Sequence, residues 1–73
     1  MKLKATVPEI GEDKVKWLII ESDEDDTKGF FIYYCIDNNT AYDTWHSDID
    51  DAFEAAKMQY DINNKMWEEL KDQ

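Results

Sequence analysis

Residues 29–37, GFFIYYCID, decide how this chain folds. Positions 30–36 are seven consecutive apolar or aromatic residues, of types that favour pleated structure. The run is bounded by turn formers and is shorter than a typical helix, so it reads as a strand. Strand side chains alternate between faces. Phe30, Ile32, Tyr34 and Ile36 therefore point one way and Phe31, Tyr33 and Cys35 the other. A sheet built around this strand is apolar on both sides.

The flanking segments supply partners for it. Upstream, SDEDDTKG reads as a solvated hairpin tip and KVKWLIIES as a second strand rich in β-branched residues. Pro8 and Gly11 bracket a polar loop, PEIGED, and MKLKATV before it alternates, with Met1, Leu3, Ala5 and Val7 on one side. Downstream, DNNT makes a tight connection, since Asn tolerates left-handed backbone, and TAYDTWH pairs back as a hairpin strand.

Ser47 reads as a helix N-cap, with Asp50 three residues on and Asp48 and Asp51 in the first turn, where carboxylates suit the helix dipole. Ile49, Ala52, Phe53, Ala56 and Tyr60 then recur at helical spacing, predicting a helix from 48 to about 60. Asn63 or Asn64 caps a short final helix, KMWEELKD, with Met66, Trp67 and Leu70 on one side. The expectation is a single α+β domain over residues 1–73. It has a three- to four-stranded antiparallel sheet, one main helix on one face, and a short C-terminal helix. One helix covers one face; the short helix with Trp67, curling of the sheet, or another chain must cover the second.

Composition narrows function. The chain has 73 residues, ten of them aromatic, too many for a disordered acidic tail. Its net charge is -10, all eight positive charges are lysine, and there is no arginine. Direct binding to DNA, RNA or an anionic membrane is disfavoured, because such contacts rest on Lys and Arg neutralising phosphates. Residues 1–20 carry four lysines against Glu9, Glu12 and Asp13, whereas residues 21–73 carry four lysines against fifteen acids. That acidic field keeps the chain soluble and would steer a basic partner toward it. No apolar run approaches the length of a membrane span and no signal-peptide pattern is present, so the expected address is the cytoplasm. The single Cys35, inside an apolar run, is expected to behave as a small hydrophobe.

Candidate chemistry is sparse. His46, the one histidine, lies in YDTWHSDIDD between a tryptophan and a run of carboxylates. A nucleophilic pair needs Cys35 or a serine within reach, and zinc needs three or four ligands drawn mainly from Cys and His. With one of each, neither set is completed, and the expected role of His46 is structural. Asp23, Asp25 and Thr27 occupy calcium-loop positions one, three and five, but Lys28 stands where glycine is required and Tyr34 where a bidentate glutamate is required. No catalytic residue, metal site or cofactor is expected.

The segment from Tyr42 onward resembles a family of small acidic bacterial proteins that carry Asp43-Thr44-Trp45-His46, an acidic helix start, Ala52 and Ala56, then Tyr60-Asp61-Ile62 and Trp67. The likeness covers about the last thirty residues, and Asp61 stands where glycine is expected. The family carries no activity across; the resemblance implies that Trp45, His46 and Trp67 belong to a structural corner, which Ser47 joins as the cap. Aromatics are enriched both in cores and at interfaces, and for Trp45 and Trp67 the expectation is core packing around the helix ends. A looser likeness, in layout alone, is to HicB-type antitoxins, whose Leu-Pro-Gly-Cys strand end is missing here.

The leading expectation is a non-enzymatic protein-interaction module. It would bind a basic protein in the manner of an immunity protein or antitoxin, or pair with itself through the open sheet face. Its candidate contact residues are Trp17, Phe31, Tyr33, Asp23, Asp25, Asp26, Asp51 and Glu54. The alternative is a nucleic-acid mimic, in which Asp23, Glu24, Asp25, Asp26, Asp50, Asp51 and Glu54 form a continuous stripe of carboxylates in place of phosphates.

Overall fold

The computed structural model describes residues 1–25 and 28–70. Its strands are β1 (Lys2–Thr6), β2 (Trp17–Ser22), β3 (Phe30–Ile36), β4 (Asn39–His46) and β5 (Glu68–Glu69). All neighbours pair antiparallel, in the order β4-β3-β2-β1-β5. Helix α1 spans Ile49–Tyr60 and a 3₁₀ turn spans Asn64–Met66, so the fold is α+β. No helix among the described residues is long and apolar enough to cross a membrane.

Register sorts the sheet residues into two faces, because directly paired residues point the same way. Leu3, Ile20, Ile32 and Thr44 form one cross-strand row, and Ala5, Leu18, Tyr34 and Tyr42 the next. Ala5, Leu18, Ile20, Ile32 and Tyr34 are buried in one cluster with Ala52 and Ala56 of α1 and with Val7, Val15 and Ile62. Alanine at both helical positions lets the helix backbone approach the sheet closely. The rows of the opposite face alternate with these and contribute nothing to that cluster.

Three expectations are corrected. The helix cap is Asp48, not Ser47: Asp48 is extended (φ -144°, ψ 165°) and its Oδ1 accepts the Asp51 N–H at 2.7 Å. A carboxylate is the stronger acceptor at the positive end of a helix. Among the described residues the final segment is not a helix beyond the 3₁₀ turn, the last expected helical positions, Lys71 and Asp72, lying outside them, and the sheet has five strands where three or four were expected. At Trp67 the backbone turns extended (φ -82°, ψ 132°), its ring settles 5.8 Å from Phe53, and Glu68 and Glu69 pair with Lys4 and Leu3. Leu70 extends the pairing by donating its N–H to the Lys2 carbonyl at 2.8 Å. A helix of this length is marginal on its own, and ladder bonds to the exposed edge of β1 outweigh it.

Asp61 closes α1 in the left-handed conformation (φ 58°, ψ 33°) and donates its N–H to the Lys57 carbonyl at 2.9 Å. Glycine is the usual residue there because an L side chain crowds the backbone in this region. A negative charge at this end also opposes the dipole. Asp61→Asn, which keeps a side chain tolerant of the conformation, should raise the unfolding free energy by about 0.3–1 kcal/mol. Asp61→Gly should do at least as well, since relief of ~1 kcal/mol of left-handed cost exceeds much of glycine's entropic penalty. Urea midpoints at unchanged m-value test both.

Candidate functional site

The face that the core cluster leaves aside is built row by row from the register. Lys2, Glu21, Phe31 and Trp45 form one row, and Lys4, Ile19, Tyr33 and Asp43 the next. Thr6, Trp17 and Cys35 follow, with a bulge between Tyr34 and Cys35 carrying the pairing on to Thr40. Trp17, Ile19, Phe31 and Tyr33 are half-buried and Trp45 is 46% exposed. Phe31 and Tyr33 stack with ring centroids 6.0 Å apart, and the Lys4 ammonium lies 4.8 Å above the Trp17 ring. Such a cation over indole gains about 0.5–1 kcal/mol at an exposed site. Glu21 ties the rows together, 3.5 Å from the Lys2 ammonium and accepting the Tyr33 hydroxyl at 3.4 Å. Burial first, then the Glu21 carboxylate, raises the Tyr33 pKa. The ring therefore stays neutral.

Trp45 caps this face at its corner. A Cβ at Gly29 would meet the Trp45 indole at 2.5 Å, so the ring lies flat over a position that only glycine leaves open. The expectation that Trp45 packs in the core is therefore corrected: it extends the outer face, while Trp67 packs on the helix side against Phe53. The two tryptophans do not share a corner.

The expected contact residues divide likewise. Trp17, Phe31 and Tyr33 come together on the outer face, joined by Ile19 and Trp45. Asp23 and Asp25 lie in the β2–β3 connection, and Asp26 lies outside the described residues. Asp51 and Glu54 are on α1, which packs on the opposite side of the sheet. Ile19, Lys4 and Asp43 were not among the expected contact residues. Alternation from Tyr33 across its neighbours finds all three once the register is known.

His46 sits within a hydrogen-bonded relay on the helix side, between Thr44 and Asp51. Its Nδ1 is 2.7 Å from Asp51 Oδ2, its Nε2 is 2.8 Å from Thr44 Oγ1, and that oxygen is 2.9 Å from the Tyr34 hydroxyl. With Nδ1–H donating to the carboxylate, Nε2 accepts the Thr44 hydroxyl, which in turn accepts from Tyr34. Hydroxyl, imidazole and carboxylate follow in the order of a nucleophile, base and orienting acid. Acyl transfer would further need donors aimed at a developing oxyanion and space for a substrate beside Thr44. The Tyr34 hydroxyl already engages Thr44. Three surface hollows, on α1, beside the β1–β2 loop and at the β2–β3 turn, are lined by other residues. What the relay does on its own geometry is fasten the end of β4 to the first turn of α1.

A second polar cluster fastens the other end of the helix. The Tyr42 and Tyr60 hydroxyls are 2.7 Å apart, Tyr60 donates to Asp13 Oδ2 at 2.7 Å, and Asp13 Oδ1 accepts the Val15 N–H at 3.1 Å. The Tyr42 ring stacks on buried Tyr34 at 4.4 Å. Burial, then the hydrogen bonds with Tyr42 and Asp13, raise Tyr60 far above an ordinary tyrosine; the Tyr60 hydroxyl, then the Val15 amide, lower Asp13. Among the described residues no group of three or more His, Cys, Asp and Glu is placed to hold a metal ion.

Two outcomes follow from these clusters. His46→Ala should lower the unfolding free energy by about 1–3 kcal/mol, the loss of two hydrogen bonds, one of them to a charged group, read from the urea midpoint. Stability should also fall at both pH extremes. Tyr60 stays neutral where the unfolded chain ionises, so its contribution is full below the ordinary value of 10.0 and is lost as pH rises above it. Asp13 stays ionised where the unfolded chain takes up a proton, so its contribution is full above 3.8 and is lost as pH falls below it. Tyr60→Phe should flatten both limbs and Asp13→Asn chiefly the acid one.

No protein-family model, curated protein or solved structure matches this chain, so the reading of its sites rests on their own chemistry.

Proposed function

We propose that the chain is a non-enzymatic protein-interaction module of the cytoplasm, docking through the sheet face of Trp17, Ile19, Phe31, Tyr33 and Trp45. One observation carries the reading: with α1 on one side of the sheet, five large apolar side chains on the other side take no part in the chain's core cluster. Aromatic residues are enriched at the energetic centres of protein interfaces, and contiguous apolar surface of this kind is commonly an interaction site. Membership in the small acidic bacterial family with the Asp43-Thr44-Trp45-His46 motif belongs to the same proposal.

The occupant we argue for is a second copy of the chain. A basic protein, as in an immunity or antitoxin pair, is the competing occupant and is favoured by the net charge of -10. A nucleic-acid mimic is the second reading, its carboxylates divided between the β2–β3 connection, with Asp23, Glu24 and Asp25, and α1, with Asp50, Asp51 and Glu54. The His46 relay is assigned a structural role.

The test compares two variants in every complex the chain forms. Ile19→Thr with Phe31→Thr removes apolar surface while keeping strand-forming side chains, and should weaken association at least about tenfold, or 1.4 kcal/mol. Glu54→Gln on α1 should leave it unchanged. Binding that survives the first variant and fails in the second would refute the docking face.

A further inference from the structure

We propose that the outer face is self-complementary, and that two copies of the chain stack face to face about a two-fold axis lying between the sheets and running along the strands. The inference rests on the interaction reading above and commits its surface to one partner. Such an axis reverses strand order, so β1 of one protomer lies over β4 of its partner while the cross-strand rows stay aligned. The row runs Glu68, Lys4, Ile19, Tyr33, Asp43, and its four residues from β1 to β4 then meet themselves reversed, with Glu68 at the rim. Lys4 faces the partner's Asp43, and Ile19 faces the partner's Tyr33. In the next row Lys2 faces the partner's Trp45, an exposed indole that offers its ring to a cation.

Lys4 lies over the Trp17 ring of its own chain and beside Glu68 across the β1–β5 pairing, and a partner's Asp43 would add a counter-charge above it. Lys4 is on the β1 side of the face and Asp43 on the β4 side, with two strands between them, and neither forms an ion pair among the described residues. An isologous interface requires this pattern, since every contact occurs twice with the roles exchanged. Glu21, which would be a liability under a partner, already has Lys2 and the Tyr33 hydroxyl beside it. Two sheets stacked in this way form an aligned sandwich, whose layers cross at about 30°. If the face takes about a tenth of the 5226 Å² surface, the pair buries roughly 1,000 Å², at the lower bound for a specific interface. A reversible, concentration-dependent dimer is expected, not an obligate one.

Charge reversal tests the arrangement by sedimentation velocity over a concentration series, with circular dichroism to verify folding. Wild type should shift from monomer to dimer with concentration. K4D alone and D43K alone should each be monomeric, because each sets like charges opposite one another. An equal mixture of the two should form a heterodimer, and the double variant K4D/D43K should again pair with itself. That recovery cannot come from a variant that fails to fold. A dimer indifferent to both reversals would lie elsewhere, for instance on the outer edge of β4, and would overturn the proposal. A wild-type monomer that binds a basic protein through Ile19 and Phe31 would overturn self-pairing and leave the interaction reading standing. A monomer with no complex dependent on this face would overturn both.

Discussion

The position of β3 constrains everything else in this molecule. It lies between β2 and β4, and seven successive apolar or aromatic residues give it two apolar faces. A strand apolar on both faces calls for a covering layer on each. The twelve-residue α1, the one α-helix among the described residues, lies on one face, where Ala52 and Ala56 sit against Leu18, Ile20, Ile32 and Tyr34. The remaining segment closes the β1 edge. Among the described residues no helix covers the outer face, whose side chains stay outside the core cluster.

The helix is held at both ends by side chains. At its start, the Asp48 cap and the His46–Asp51 contact fix where α1 leaves β4; at its end, Tyr60 reaches Asp13 in the β1–β2 loop. Between these points the contact is largely alanine and aliphatic packing, which fixes distance but little orientation. Directional hydrogen bonds supply the orientation. The same bonds account for a histidine, a threonine and an aspartate in a row without requiring any chemistry of them, since each satisfies a polar group that the helix–sheet seam would otherwise leave half-buried.

Much of this was legible in the residues. The alternation in MKLKATV, the apolar run at 30–36 and the helical stripe from Ile49 to Tyr60 each carry the period of the element they form, and those elements are present. The C-terminal segment was misread because KMWEEL has helical spacing over a span too short to act on it, while the deciding partner, the edge of β1, is more than sixty residues away. The cap was misplaced by one residue because Ser47 and Asp48 are both good caps and only the local backbone chooses between them. Of the expected contact residues, Trp17, Phe31 and Tyr33 share a face, but Asp51 and Glu54 do not join them, because sequence reveals which residues alternate and not which strands align. Trp45 was expected in the interior because aromatics are enriched in cores, whereas its ring lies over the position that Gly29 leaves without a side chain.

The three tryptophans end up in three different surroundings: Trp17 beneath an ammonium group, Trp45 half in solvent over a glycine, and Trp67 against Phe53 with its Nε1 buried and unpartnered among the described residues. Indole emission responds to the polarity and charge around the ring, so each of these sites has its own wavelength and its own accessibility to a soluble quencher. The molecule therefore carries separate optical labels on its two faces. Chains retaining one tryptophan at a time would report events on the outer face through Trp17 or Trp45 and events at the helix seam through Trp67, without any attached dye.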